Sequence, residues 1–354
     1  MRIAFVGPVP PIRGGIPQHA ARLIETLREE GHAVDVLSWG AQYPGFLYKG
    51  PQTDPDAERF AGAAFPLKWW APWTWWSVGR RARAAELLVF TWVTPFHAVP
   101  LRVLLAAAGR VKSVAIVHNP LPHEPMPFAR FLTRWVLGRA TRCLVHASAS
   151  RQELAELVPG AAIDVVTMPS LLKVEASPLP PRPPLKLLFL GFVRPYKGLD
   201  IAIDALKRLV DQGEDVTLTV AGEFWEPVET WHERVRSAGL ESRIDLQPGY
   251  ASDDRVRELL RTHHVLVAPY RSATQSGVIP IAIAAGRPVV ATDVGGLAEQ
   301  VRDSIDGAVV SSDAPEDFAR GVQSVSQALD ERAAGARERG DAWSVVASLL
   351  TRTL

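Results

Sequence analysis

The sequence predicts an α/β protein made of two Rossmann-like, doubly wound domains facing across a cleft. Short β-branched runs alternate with amphipathic helical patterns along the chain, which implies parallel sheets wrapped by helices on both faces. The 354 residues are enough for two domains of ordinary size, each with its own core. The alternation breaks at 175–186, EASPLPPRPPLK, where five prolines favour a stiff, extended connector. The expected division is a first domain at 1–174, a linker at 175–186 and a second domain at 187–335. A last segment, 336–354, carries a helix expected to pack back on the first domain.

Strands in the first domain are expected at 3–6, 33–37, 87–91, 113–117, 142–146 and 163–167, each a short apolar run rich in Val, Ile and Leu. Helices are expected at 17–30, 75–85, 98–108, 128–139 and 150–157. The last but one alternates Phe, Leu and Trp with arginines, as an amphipathic helix docked on a sheet would. In the second domain, strands are expected at 187–191, 217–221, 244–246, 265–269, 288–291 and 308–310. Helices are expected there at 199–210, 228–238, 253–260, 278–285, 298–302 and 315–329, with a final one at 343–350.

Composition narrows the function. Apolar content of 47% and charged content of 22% describe a globular chain. The single cysteine, Cys143, excludes an intrachain disulfide framework and fits a reducing compartment. No apolar run reaches the length of a spanning helix, and the run opening the chain is too short for a signal peptide. A cytoplasmic location is therefore expected. Up to Lys173 there are 19 basic and 12 acidic residues, +7; the remainder has 20 and 26, −6. The basic half suits an anionic partner such as the inner face of a membrane.

In such sheets ligands bind beyond the C-terminal ends of the strands, so the loops there hold the candidates. GPVPPIRGGIPQHA follows the first strand and places Gly14 and Gly15 before a helix. It lacks the GxGxxG spacing of dinucleotide sites, yet paired glycines allow close approach to the backbone. IVHNPLPHEP sets His118, His123 and Glu124 on one loop. A histidine there can bond a sugar hydroxyl or a backbone oxygen, while a zinc site would need further ligands that the sequence does not supply. KWWAPWTWWSVGRRAR fits a lipid interface, stacking on sugar rings, or a packed core. Aromatic and basic surfaces also bind single-stranded nucleic acid, but the balanced overall charge argues against that partner. Asp54 and Asp56, in DPD, read as solvated surface.

Two anion-ready junctions lie in the second domain. SATQSGVIPIAIAAGRPVVATDVGG places Thr274, Gln275, Ser276, Gly277 and Val278 at the start of a short helix, with Pro280 in its first turn. GFVRPYKGLD offers Arg194 as a planar fork and Lys197 as a point charge, a pair suited to a diphosphate. Charge-assisted bonds of this kind are worth roughly 1.5–3 kcal/mol each, against about 0.3–1 for a solvated helix-end charge, so the side chains should dominate.

RPYKGLD after a strand, VAGE at 220–223 and SGVIPIAIAAGRPVVATDVGG together resemble the donor-binding domain of GT-B glycosyltransferases. More narrowly they resemble family 4, whose members are retaining and use nucleotide sugars. The likeness covers most of 185–310 and extends more loosely to the paired-glycine loop and the VHN segment. It implies a cytoplasmic transferase that moves a sugar from a nucleotide-diphosphate sugar to a hydroxyl acceptor, with no essential metal or other cofactor. It further implies that Arg194 and Lys197 bind the donor diphosphate and His118 faces the transferred sugar. Gly15, Gly222, Glu223 and Glu299 would join 274–278 at the donor, with Gly14 and His123 at the acceptor. Phe192 stands where many members carry the arginine of this loop. The family's two glutamates, eight residues apart, correspond to Ala273 and Ile281, and the ATQSG turn is expected to substitute for them. A nucleotide-sugar epimerase or phosphorylase of the same fold, and a non-catalytic binding scaffold, are the rival readings.

Overall fold

The computed structural model describes residues 1–45, 52–55, 57–122, 126–337 and 342–352. The chain divides into two compact units, Met1–Thr167 with Ala342–Leu354, and Met168–Asp341. The proline-rich stretch 175–186 lies inside the second unit.

In the first unit the elements run β1 (Arg2–Val6), α1 (Gly15–Glu29), β2 (Ala33–Ala41), β3 (Ala63–Lys68), α2 (Pro72–Ala82), β4 (Leu87–Trp92) and α3 (Ala98–Ala108). They continue β5 (Lys112–Val117), α4 (Ala129–Leu137), β6 (Arg142–Val145), α5 (Ser148–Leu157) and β7 (Ile163–Val165). The seven strands form one parallel sheet in the order β3-β2-β1-β4-β5-β6-β7. β4 is buried along its whole length, as a central strand covered on both faces must be. β3 is one strand more than the sequence predicts; its AAFPLK carries a proline and a lysine, which an edge strand tolerates. In α1, Ala20, Leu23, Ile24 and Leu27 recur at helical spacing and are all buried.

In the second unit come β8 (Leu185–Leu190), α6 (Leu199–Asp211), β9 (Val216–Gly222), α7 (Val228–Ser237), β10 (Ile244–Pro248), α8 (Asp253–Thr262) and β11 (Val265–Ala268). They are followed by α9 (Val278–Ala284), β12 (Val289–Thr292), α10 (Leu297–Gln300), β13 (Gly307–Val310), α11 (Pro315–Gln327) and α12 (Leu329–Arg337). Six parallel strands lie in the order β10-β9-β8-β11-β12-β13. Strand order therefore reverses between β8 and β11, and a doubly wound sheet opens a crevice at that point. α12 is one helix more than the sequence predicts; Leu329, Ala333 and Ala336 supply its buried side.

The final helix, α13 (Trp343–Thr351), belongs to the first unit and packs on α1. Trp343, Val346, Ala347 and Leu350 are its buried face.

Candidate functional site

In the second unit the site is built where the strand order turns. β8 ends at Leu190, and after Gly191 the chain makes one short 3-10 turn, Pro195–Lys197, before α6. Gly198 joins the two with φ 68°, and a Cβ there would lie 1.9 Å from the carbonyl oxygen of Pro269, the residue just after β11. Only glycine lets these two loops touch. A double ion pair fixes the same approach: Arg271 donates from both guanidinium ends to Asp200, at 2.8 and 2.6 Å. Its backbone N–H also donates to Tyr196 O at 2.7 Å. Burial pushes the Asp200 carboxyl up, but the Arg271 guanidinium more than offsets this and holds it below its ordinary value.

Lys197 turns inward from this frame. Its Nζ donates to Tyr270 Oη at 3.2 Å and lies 4.8 Å from the centre of that ring. Tyr270 Oη lies 3.3 Å from Ser276 Oγ, so ammonium, phenol and hydroxyl form one chain from the β8 loop to the start of α9. A Cβ placed on Gly191 would sit 3.5 Å from Lys197 Nζ and 3.8 Å from Val278 Cγ1. Lys197, Ser276 and Val278 are thus brought together, while Gly277 serves as the cap residue of α9.

Arg194 has a different aromatic partner. Its guanidinium stacks on Trp225, 3.5 Å from the ring centre, in the loop that follows β9. Val193 pairs with Phe224 to hold this contact, and Arg194 Nε is buried with no partner among the described residues. The two cations therefore engage different neighbouring loops. Gly222 closes β9 against β8, since a Cβ on it would fall 1.9 Å from Gly191 O, and Glu223 beside it is exposed.

The ATQSG turn departs in one respect from the expectation of free backbone donors. The Ser276 N–H is already given to Gln300 Oε1 at 2.8 Å, and Gln300 Nε2 returns to Ser276 O at 2.9 Å. Gln300, not a phosphate, holds that amide. Gln275 Nε2 by contrast is buried and unpartnered among the described residues. Thr274 O accepts from Gly296 N at 3.1 Å, and Gly295 fits with its α-carbon face against Ala273 O. Glu299, on α10, is exposed. Ile281 is buried in the unit's core, so it faces no ligand.

In the first unit Gly14 has φ 117° and Gly15 opens α1. His118 follows β5 directly and is buried among two further imidazoles. The His19 ring lies 4.8 Å from those of His118 and His146, and His118 and His146 are 5.7 Å apart. Trp343 closes the group at 4.9 Å from His19. Burial, with repulsion from His146, pushes His118 down to about 3. Burial likewise takes His146 to about 4, although its Nδ1 donates to Val166 O at 3.0 Å. His19 falls well below its ordinary value for the same reason. His118 is therefore a neutral hydrogen-bonding group at physiological pH. The Nε2 atoms of all three lack partners among the described residues. Among the described residues, no group of three or more His, Cys, Asp or Glu side chains is disposed to hold a metal ion. His123, Glu124 and Asp56 lie outside the described residues.

These neutral imidazoles set the acid limit of the unit. Unfolded histidines take up protons below about 6.5, whereas folded His118 and His146 do so only near 3 and 4. Their depressed values thus leave stability intact above pH 6.5 and drain it as pH falls from 6.5 towards 4. At pH 5 the expected loss is about 2 kcal/mol per histidine. Thermal unfolding followed at pH 7 and pH 5 should show it, and a His146→Phe variant should have a flatter profile.

Tyr270, Gln300, Trp225 and the Arg271–Asp200 pair are site components that the sequence reading missed. Residues 184–328 match the family model described as "Glycosyl transferases group 1", and residues 13–169 match "Glycosyltransferase Family 4". The chain is 27% identical to a phosphatidyl-myo-inositol mannosyltransferase of Mycobacterium tuberculosis, over 99% of this chain and 96% of that one. It is 28% identical to a D-inositol 3-phosphate glycosyltransferase of Streptomyces bingchenggensis, over 64% of this chain and 54% of the relative. In fold it is similar to the lipopolysaccharide outer core galactosyltransferase WaaB, at TM-score 0.74, 15% identity and full coverage of both chains. It is also similar to HepE of Anabaena in complex with UDP, at TM-score 0.70 and 17% identity, over 100% of this chain and 99% of that one. The chain is a glycosyltransferase of the GT-B fold, with a family 4 domain followed by a group 1 domain.

Proposed function

We propose that this enzyme transfers a sugar from a nucleoside-diphosphate sugar to a hydroxyl of a saccharide, a lipid-linked saccharide or a small molecule, with retention at the anomeric carbon. The observation that carries this is the Lys197–Tyr270–Ser276 chain at the β8/β11 reversal, beside the stacked guanidinium of Arg194. In the reaction the bond from the anomeric carbon to the diphosphate oxygen breaks and a bond to the acceptor oxygen forms. The acceptor proton passes to the departing diphosphate. Lys197 and Arg194 stabilise the charge that develops on the leaving group, an electrostatic role for preorganised cations. His118 meets a sugar hydroxyl as a neutral partner through its Nε2, unpartnered among the described residues, and no metal takes part in this reading. HepE binds UDP and UDP-glucose, which supports a uridine nucleotide as the first donor to try. The names of the relatives support an inositol-bearing acceptor. The first unit is the part that meets an anionic membrane surface.

A thermal-shift panel of UDP, GDP and ADP and their sugars tests the donor. A ligand at a hundred times its dissociation constant stabilises the fold by about 2.7 kcal/mol, and an Arg194→Ala, Lys197→Ala double variant should lose the preferred shift. Nucleotide release that depends on an added hydroxyl acceptor separates transfer from epimerisation or phosphorolysis. A double variant that binds and turns over as the parent does would remove the diphosphate site.

A further inference from the structure

α2, α3 and α4 form one layer on one face of the first unit's sheet. They follow β3, β4 and β5, connect strands in the same direction across the sheet, and pack in sequence, α2 on α3 and α3 on α4. Their N-terminal ends lie at the strands' C-terminal edge, where ligands enter such a sheet. There the layer is unusually apolar for an exposed surface. On α2, Trp73 is 71% and Trp76 49% exposed; on α4, Phe131 is 63% exposed and stacks on the half-exposed Trp135. Soluble surfaces seldom show this many bare aromatics on neighbouring helices.

The charge around them has one sign. The three helices carry five arginines and not one Asp or Glu. Arg81 forms a double ion pair with Asp35 of β2, which offsets its charge. Arg80, Arg130 and Arg134 are exposed, and Arg102 lies 5.5 Å from the ring centre of Trp135. Indoles beside guanidiniums suit the boundary between acyl chains and anionic headgroups, where the ring is half dry and the cation meets phosphate. No described helix is long and apolar enough to cross a membrane.

We infer that the α2–α4 face docks the enzyme on an anionic lipid bilayer, with Trp73 and Trp76 entering the headgroup region and the arginines reading its charge. This deepens the membrane contact proposed above and rests on it, but not on the identity of donor or acceptor. It would hold the acceptor-side edge of the sheet at the lipid surface.

Flotation of the full chain with phosphatidylcholine vesicles, with and without phosphatidylglycerol, tests the inference without any sugar donor. The parent should float with the anionic vesicles at least about tenfold better than with neutral ones, and lose binding as salt rises. Trp73→Ser with Trp76→Ser should weaken binding about tenfold, and should sharply reduce quenching of indole fluorescence by brominated lipid. Arg80→Glu with Arg134→Glu should remove the preference for anionic vesicles. All four side chains are exposed, so the nucleotide thermal shift should be unchanged in both variants. A parent that binds nucleotide but ignores every vesicle would overturn the docking surface while leaving the transfer reaction standing. So would Trp73→Ser, Trp76→Ser variants that float like the parent, or a parent that only self-associates through this face.

Discussion

Lys197→Ala should lower kcat/KM for sugar transfer by at least about a hundredfold, the scale of removing one preorganised charge from a leaving group. Its ammonium is held by Tyr270 Oη and lies over that ring, so it does not have to be gathered from solvent when the diphosphate forms. Tyr270→Phe keeps the ring but removes the hydroxyl that links Lys197 to Ser276, and about a tenfold loss is expected. Trp225→Ala should fall in the same range, by freeing the Arg194 guanidinium from its stack. Steady-state rates of nucleotide release give all three. Parental rates for Lys197→Ala would place the diphosphate elsewhere.

Gly198→Ala should be a severely damaging methyl addition at the site, although it leaves every charge untouched. The residue holds φ 68°, which costs a non-glycine residue roughly 1–2 kcal/mol, and its Cβ would meet a backbone oxygen at 1.9 Å that cannot swing aside. The sum is about 3 kcal/mol or more, a fall in Tm of roughly 5–10 °C for a domain of this size. Because the clash pushes the β8 and β11 loops apart, nucleotide binding should fail together with stability. Gly213→Ala is the control: its φ is 86°, but nothing lies within 4 Å of the added methyl. Equal melting losses in the two variants would show that the close approach at Pro269 does not matter.

How far the sequence could be read follows from what kind of interaction each feature depends on. Continuous apolar runs such as 87–91 and 265–269 announce buried parallel strands, and the structure places β4 and β11 there. β3 was hidden because an edge strand with Pro66 and Lys68 has no such run. α12 was hidden because its many charges mask the small residues that it buries. In the site, Lys197 was legible as a cation in a strand-to-helix loop. Tyr270 was not, since an aromatic residue just after a strand reads as core until its hydroxyl is seen between an ammonium and a serine. Gln300 grips Ser276 from 24 residues away, and no local pattern encodes that pairing. The contact of Arg194 with Trp225 is equally remote, and it seats the arginine on a different aromatic ring from the Tyr270 that holds Lys197.

α13 has a bearing on biogenesis. The first 167 residues supply every strand of the first unit, yet the indole that covers His19 is Trp343. During synthesis those residues leave the ribosome long before their lid does, with α1 still bare where Val346, Ala347 and Leu350 will sit. The whole second unit can fold in that interval. The half made first is thus the half finished last, and a nascent chain stalled before residue 343 would present an apolar helix face to chaperones.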